Sequence, residues 1–229
     1  MNDTAIETST ESLPQAPASG EQASPFREIW RFLWADRTAF IGFFVIVGLV
    51  VIAVLAPWIA PYDDTDQHIL SAFKGPSGEF LLGSDEFGRD LLSRIIWGTR
   101  PALIVGVLSV LVSIGIGVPI GVVAGYKLGW IDRMVTWFVD IMLSFPSLLL
   151  GLMIVTLLGQ GIDKVIVAIG ISHVAQYIRL ARGPTLALRN HDFVRATRAL
   201  GAGDFRITFN HILPNIVGPI IIMGTLSIA

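Results

Sequence analysis

The chain has 229 residues, of which 53% are apolar and only 15% charged, with a formal net charge of −2. A water-soluble domain carries about a quarter charged residues, so much of this surface is built for a solvent other than water. The absence of cysteine excludes disulfides, thiolate metal sites and cysteine nucleophiles.

Residues 1–25 are rich in Ser, Thr, Glu, Gln, Ala and Pro, and residues 1–24 contain no aromatic side chain, Lys or Arg. Such a segment cannot bury enough apolar area to offset its ordering entropy, and a disordered tail is predicted. It lacks the basic start of a signal peptide, and the first long apolar run begins only near Ala39. Phe26, Ile29, Trp30, Phe32, Leu33 and Trp34 stand among basic residues, the pattern of a short helix lying on a membrane surface.

A helix needs about 20 mostly apolar residues to cross the hydrocarbon core. Residues 39–60, 101–124 and 136–158 qualify, the third with Asp140 as its one charge, and 165–178 forms a shorter fourth run. Residues 216–229 begin a fifth run that by itself is too short to span, which reads as a chain cut before its end. The predicted organisation is thus a tail (1–25), an interfacial helix with the first span (26–60), a loop with an amphipathic helix (61–100), and a membrane domain (101–229) holding short helices at about 190–214.

With the N-terminus inside, the inner side holds Arg27, Arg31, Arg37, Lys127, Arg133, Arg179, Arg182, Arg189, Arg195, Arg198 and Arg206. The outer side holds only Lys74, Arg89, Arg94, Arg100 and Lys164. That asymmetry follows the positive-inside rule and orients the N-terminus to the cytoplasm.

The second span carries Ser109, Ser113, Gly117, Gly121 and Gly125 at steps of four, a small-residue stripe that lets another backbone approach closely. Its partner lies either within the chain or in another subunit. Asp140 and His173 are the ionisable groups nearest the span interiors and are functional candidates by default, although Asp140 lies near a predicted cytoplasmic end. His68, His173, His191 and His211 share no paired spacing, so no metal set is expected.

Two polar segments interrupt the apolar runs. In "GEFLLGSDEFGRDLLSRIIWGTRPAL", Asp85 is placed to cap an amphipathic helix carrying Phe87, Leu91, Ile95 and Trp97. In "RATRALGAGDFRITFNHILPN", a short helix from Asp192 carries Phe193, Thr197 and Leu200 on one face. Gly201 ends it in the left-handed conformation, Asp204 caps a second helix with a Phe205, Phe209 and Ile212 stripe, and Pro214 stops that one. A DNA-reading helix-turn-helix has the same turn and arginines, but a helix pinned between spans cannot enter a major groove, so no nucleic-acid partner is expected. A solvated loop whose arginines merely enforce topology, and a docking element for a cytoplasmic motor, remain as readings.

The first segment resembles the L-G-T-D-x-x-G-R-D-x-x-S-R-x-x-x-G-x-R signature of the peptide and nickel branch of ABC-importer permeases. Leu82, Gly83, Asp85, Gly88, Arg89, Asp90, Ser93, Arg94, Gly98 and Arg100 match, and Ser84 stands where Thr is usual. The stretch "IDRMVTWFVDIMLSFPSLLL", with Asp132, Arg133, Asp140 and Pro146, is similar to that family's third span. The second segment resembles the family's cytoplasmic E-A-A-x-x-x-G-x(9)-I-x-L-P motif. Ala196, Gly201, Leu213 and Pro214 match, while Arg195 replaces the Glu, Thr197 the second Ala and His211 the Ile.

The resemblance implies an all-α, type I ABC-importer transmembrane domain, with about five of six expected spans present. It implies a bacterial inner-membrane, multi-pass, non-catalytic permease for di- or oligopeptides, with nickel, glutathione or opines as alternative cargo. Its partners would be lipid, a second homologous permease, two cytoplasmic ATP-binding subunits and a periplasmic solute-binding protein. Arg195, Ala196, Thr197, Gly201, Asp204, His211, Leu213 and Pro214 would couple to the ATPases. No G-x-x-x-x-G-K-[ST] loop is found, so no nucleotide or other cofactor is expected on this chain. The rivals are an ion-driven secondary transporter, for which Asp140 and Pro146 are the slight pointers, and a structural membrane scaffold, which leaves the docking motif unexplained.

Overall fold

A computed structural model describes residues 37–228, and the expected tail and interfacial helix lie outside them. The described residues are helical, without a strand. The elements are α1 (Arg37–Ile59), α2 (Leu91–Lys127), α3 (Gly129–Leu143), α4 (Ser147–Leu158), α5 (Ile162–Leu188), α6 (Asp192–Ala199) and α7 (Asp204–Ile228). The chain's contacts divide it within α1, between Leu49 and Val50.

The small-residue stripe of α2 decides the centre of the domain. Ser109 Oγ donates to the Ile166 carbonyl and Ser113 Oγ to the Gly170 carbonyl at 2.7 Å. A Cβ on Gly117 would lie 2.8 Å from the Val174 carbonyl, one on Gly121 2.4 Å from that of Ile178, and one on Gly125 2.7 Å from that of Arg182. Each contact pairs residue i with i+57, so α2 and α5 run parallel, backbone against backbone, over four helical turns. Close packing of this kind takes the place of hydrophobic drive in lipid, where apolar surface gains nothing by leaving the tails. The stripe's partner is therefore inside this chain.

Parallel neighbours require the chain to return between them, and α3 with α4 makes the return. This is not the unbroken third span expected over 136–158. The two helices meet at 90° around Ser144–Pro146. Pro146 disfavours helical backbone at Phe145 and cannot donate to the Met142 carbonyl, so the chain turns there. Asp132 holds α3 to α5 by receiving two hydrogen bonds from Arg182, at 2.5 and 2.8 Å. Asp140 receives one from Arg179 at 2.9 Å, with both side chains exposed.

Two further expectations change. The fourth apolar run is the middle of a 27-residue helix that continues through Pro184 to Leu188. The fifth run is not too short, because helical backbone begins at Asp204 and extends 25 residues to Ile228. It runs antiparallel to α2: Ile216 and Ile220 join Val110, Val118, Val122, Tyr177 and Ala181 in one core cluster, and Ile228 reaches Gly106. Outward-facing Leu148, Leu157, Ile222 and Leu226 are exposed, as lipid-facing side chains are.

Candidate functional site

The two polar segments occupy opposite ends of α2, which at 37 residues is about 54 Å long. At its C-terminal end lies the turn between α6 and α7. Gly201 adopts φ +84°, open to glycine at no cost. Its N–H donates to the Arg198 carbonyl and the Ala202 N–H to the Thr197 carbonyl, at 3.0 and 3.2 Å. This is a complete Schellman ending, so the turn is stiff.

The turn is fastened to the membrane helices from within. Val194 of α6 and Ile207 and Ile212 of α7 are buried around Tyr126, the residue next to the last glycine of the α2 stripe. The Tyr126 hydroxyl accepts from Arg198 Nη2 at 2.9 Å and donates to Asp204 Oδ1 at 3.0 Å. The Arg198 guanidinium also lies over the Tyr126 ring, 5.6 Å from its centroid. The Tyr126 hydroxyl and the Asp204 charge behind it hold that guanidinium above its ordinary pKa. The outer surface presents different side chains. Leu200 and Phe205 flank the glycine turn at 89% and 74% exposure, with Arg195, Ala196 and Arg206 exposed beside them.

Three local expectations are corrected. Asp204 does not cap the second helix; Gly203 holds the cap position and the Asp204 carboxylate turns to Tyr126. Pro214 does not stop that helix. Residues Ile207–Ile212 form a π turn that leads directly into the helix around Pro214. The wider ring changes the hydrogen-bond register just before the proline, where an α-helix would place its ring against the Asn210 carbonyl. The same turn rotates the faces, so Ile207, Thr208 and Ile212 are buried while Phe205 points outward. Thr197 Oγ1 bonds within α6 to the Phe193 carbonyl, His211 is half-buried, and Leu213 packs against the core of the spans. No contact in the structure explains the arginine at 195.

The loop before α2 gathers the other motif. Asp85 does not cap a helix, because the helix begins later, with Asp90 at its cap. Asp90 Oδ2 accepts from the Ser93 N–H at 2.8 Å and from Ser93 Oγ at 2.6 Å. Ser93 Oγ in turn accepts from the Tyr62 N–H at 3.0 Å. Asp85 accepts from the Phe87 and Arg89 N–H groups and pairs with Arg94 at 2.6 Å and Arg89 at 3.6 Å. Burial raises the Asp85 carboxyl, but those N–H groups and the two arginines outweigh it and hold the group below its ordinary value. Gly83 has φ +85°, and at Gly88 the His68 carbonyl oxygen lies 1.9 Å from where a Cβ would stand, so no side chain fits there. Gly83, Asp85, Gly88, Arg89, Asp90, Ser93 and Arg94 thus form one knot that anchors the start of α2.

Tyr126 escaped the sequence reading, since an isolated tyrosine after a glycine has no pattern. Arg100 is among the motif matches, but its hydrogen bonds to the Ala53 and Val54 carbonyls have no signal in the motif spacing. Among the described residues no cluster of three His, Asp or Glu side chains could hold a metal.

Comparison with known proteins identifies the family. Residues 117–229 match the model of the binding-protein-dependent transport system inner membrane component, and 24–76 match the N-terminal transmembrane domain of oligopeptide transport permease C. The chain is 37% identical over 217 residues to a dipeptide transport system permease protein of Alkalihalophilus pseudofirmus, covering 93% of this chain and 71% of that protein. It is 39% identical over 225 residues to a di/tripeptide transport system permease protein of Pseudomonas aeruginosa, covering 94% and 74%. A glutathione transport system permease protein of Pectobacterium atrosepticum is 39% identical over 207 residues, covering 90% and 68%.

Proposed function

We propose a function from one premise: this chain belongs to the binding-protein-dependent transport system inner membrane components and is a multi-pass ABC permease. It forms half of a pathway that carries di- or oligopeptides across the bacterial inner membrane, its N-terminus in the cytoplasm. A second homologous permease completes the pathway, two cytoplasmic ATP-binding subunits drive it, and a periplasmic solute-binding protein delivers the peptide. The chain itself catalyses no reaction. The organisation follows from this reading: tail 1–25, interfacial helix and first span 26–60, outer loop 61–100, and pathway domain 101–229 with the coupling helices near 190–214.

The observation that carries this reading is the stiff α6–α7 turn with Leu200 and Phe205 exposed at its tip. A motor can bias two membrane-domain states only through contacts that differ between them, and a rigid turn continuous with a span transmits such contacts. Arg195, Ala196, Thr197, Gly201, Asp204, His211, Leu213 and Pro214 belong to this element. Exposed Arg195, Ala196 and Gly201 face the ATPase, while Asp204, through Tyr126, and Leu213 hold the element to the spans. The helix-packing residues Ser113, Gly117, Gly121 and Gly125 keep α2 and α5 moving together. The knot of Gly83, Asp85, Gly88, Arg89, Asp90, Ser93 and Arg94 faces the delivering protein.

The test is uptake of a labelled dipeptide into vesicles carrying the assembled importer. Import that needs ATP and the ATPase subunits is expected. Import that persists without them on a proton or sodium gradient would overturn the reading. Glutathione, itself a modified tripeptide, is the second cargo reading, favoured by the 39% identity to the glutathione permease protein. Competition between labelled glutathione and dipeptides in the same vesicles separates the two.

A further inference from the structure

Tyr126 does more than fill space. Its ring lies in the inner angle of the α6–α7 pair, and its hydroxyl touches one charged residue on each side of the glycine turn: Arg198 before it and Asp204 after it. Arg198 and Asp204 form no direct ion pair; the phenol oxygen joins them, accepting from the guanidinium and donating to the carboxylate. A hydroxyl can do both at once, and bonds to charged partners are the strong ones. Both residues are exposed, and their charged groups meet at the one hydroxyl that α2 supplies. From Tyr126 the helix is continuous to Leu91, so whatever moves the turn has one unbroken element leading to the opposite end of the domain.

The geometry points to Tyr126 as the positioning residue that makes α2 follow the coupling turn. This inference rests on the ATPase-docking reading above. Without the hydroxyl, the turn still docks and the ATPases still hydrolyse ATP, but the displacement of α6 and α7 no longer pulls the end of α2 with it.

The test uses the complete importer, with ATPases and binding protein, reconstituted in proteoliposomes. Tyr126→Phe keeps the ring and removes only the hydroxyl. Expected are ATPases that co-purify at the wild-type ratio and a rise of about fivefold or more in ATP consumed per peptide imported. A wild-type ratio of ATP to peptide in this variant overturns the inference. Fewer assembled complexes, each with the wild-type ratio, also overturn it, because that is what a purely structural side chain gives. If Tyr126→Phe does not assemble, Asp204→Ala decides: an increased ratio supports the inference, an unchanged one sinks it. Failure of the wild-type chain to bind any ATPase is a different result, and defeats the docking reading itself.

Discussion

Arg100 of α2 donates from Nε to the carbonyl of Ala53 in α1 at 2.5 Å, and from Nη2 to that of Val54 at 3.0 Å. Ala53 is the residue whose helical donor would be the N–H of residue 57, and residue 57 is proline. The guanidinium therefore replaces a hydrogen bond that the α1 sequence cannot make for itself. Its stem is set by the Trp97 ring, whose centroid lies 5.1 Å from the guanidinium carbon. Arg100→Leu is expected to cost about 1–3 kcal/mol, the cost of an unsatisfied buried acceptor. In a Pro57→Ala background the same change should cost clearly less, since the backbone then supplies the donor. Thermal unfolding of the four proteins in detergent gives the cycle; equal costs in both backgrounds would refute the pairing.

Two glycines of α2 should respond oppositely to a single methyl group. At Gly121 a Cβ would stand 2.4 Å from the Ile178 carbonyl oxygen, which is backbone and cannot swing away. At Gly115 it would meet nothing within 4 Å. Gly121→Ala is expected to lose about 1–3 kcal/mol through overpacking. Gly115→Ala should be neutral or stabilising by up to about 1 kcal/mol, from the better helix propensity of alanine. Unfolding midpoints of purified protein decide, and equal midpoints would mean that α2 and α5 do not approach as described.

At Gly201 the strain is purely conformational, because a Cβ there meets open space while φ is +84°. Gly201→Val should strain the turn by about 1–2 kcal/mol or more. The spans should insert normally while co-purification of the ATPase subunits falls. Gly201→Asn, which tolerates the left-handed region, should retain most of the binding. Wild-type ATPase recovery with valine would count against the turn as the docking element. Arg195→Glu, which restores the residue usual in the family motif, is the companion substitution to run beside it.

The knot before α2 should loosen in acid. The folded-state pKa of Asp85 lies below its ordinary value, so its contribution is complete above the unfolded value of about 4 and is lost as pH falls through the folded one. Stability of the loop at 60–90 should therefore be flat at neutral pH and decline only below about pH 4. The chain has no cysteine, so Gly78→Cys gives a single labelling site in that loop. A fluorophore there should report increased mobility on acidification, and Asp85→Asn should show that mobility already at pH 7. An acid transition unchanged in the Asp85→Asn protein would assign it to other groups.

Much of this architecture was legible in the residues. Scarcity of charge specified a membrane solvent. Gly201 could be read as a left-handed helix end because a helix must dispose of its last carbonyls within a few residues. Such requirements are local, so a short window of sequence contains them. The small-residue stripe likewise pointed to a close contact, since small residues at steps of four share one helix face and let another backbone approach.

What the stripe touches was not local. Only the packed chain shows that α2 lies parallel to α5 at a constant offset. The same holds for Pro214, which stops a helix in an isolated α-helical register but not beyond a π turn stabilised by burial of Ile207 and Ile212. Asp204 and Asp85 were placed as caps from their spacing, and both went to partners that pattern cannot name: a tyrosine 78 residues earlier and an arginine nine residues later. Sequence determined which segments must leave water and that the chain must turn at Gly201, because these depend on the chemistry of neighbouring residues. Tertiary structure alone decided which polar groups meet, because the cost of an unpaired donor in an apolar interior is settled by whichever partner folding brings within 3 Å or so.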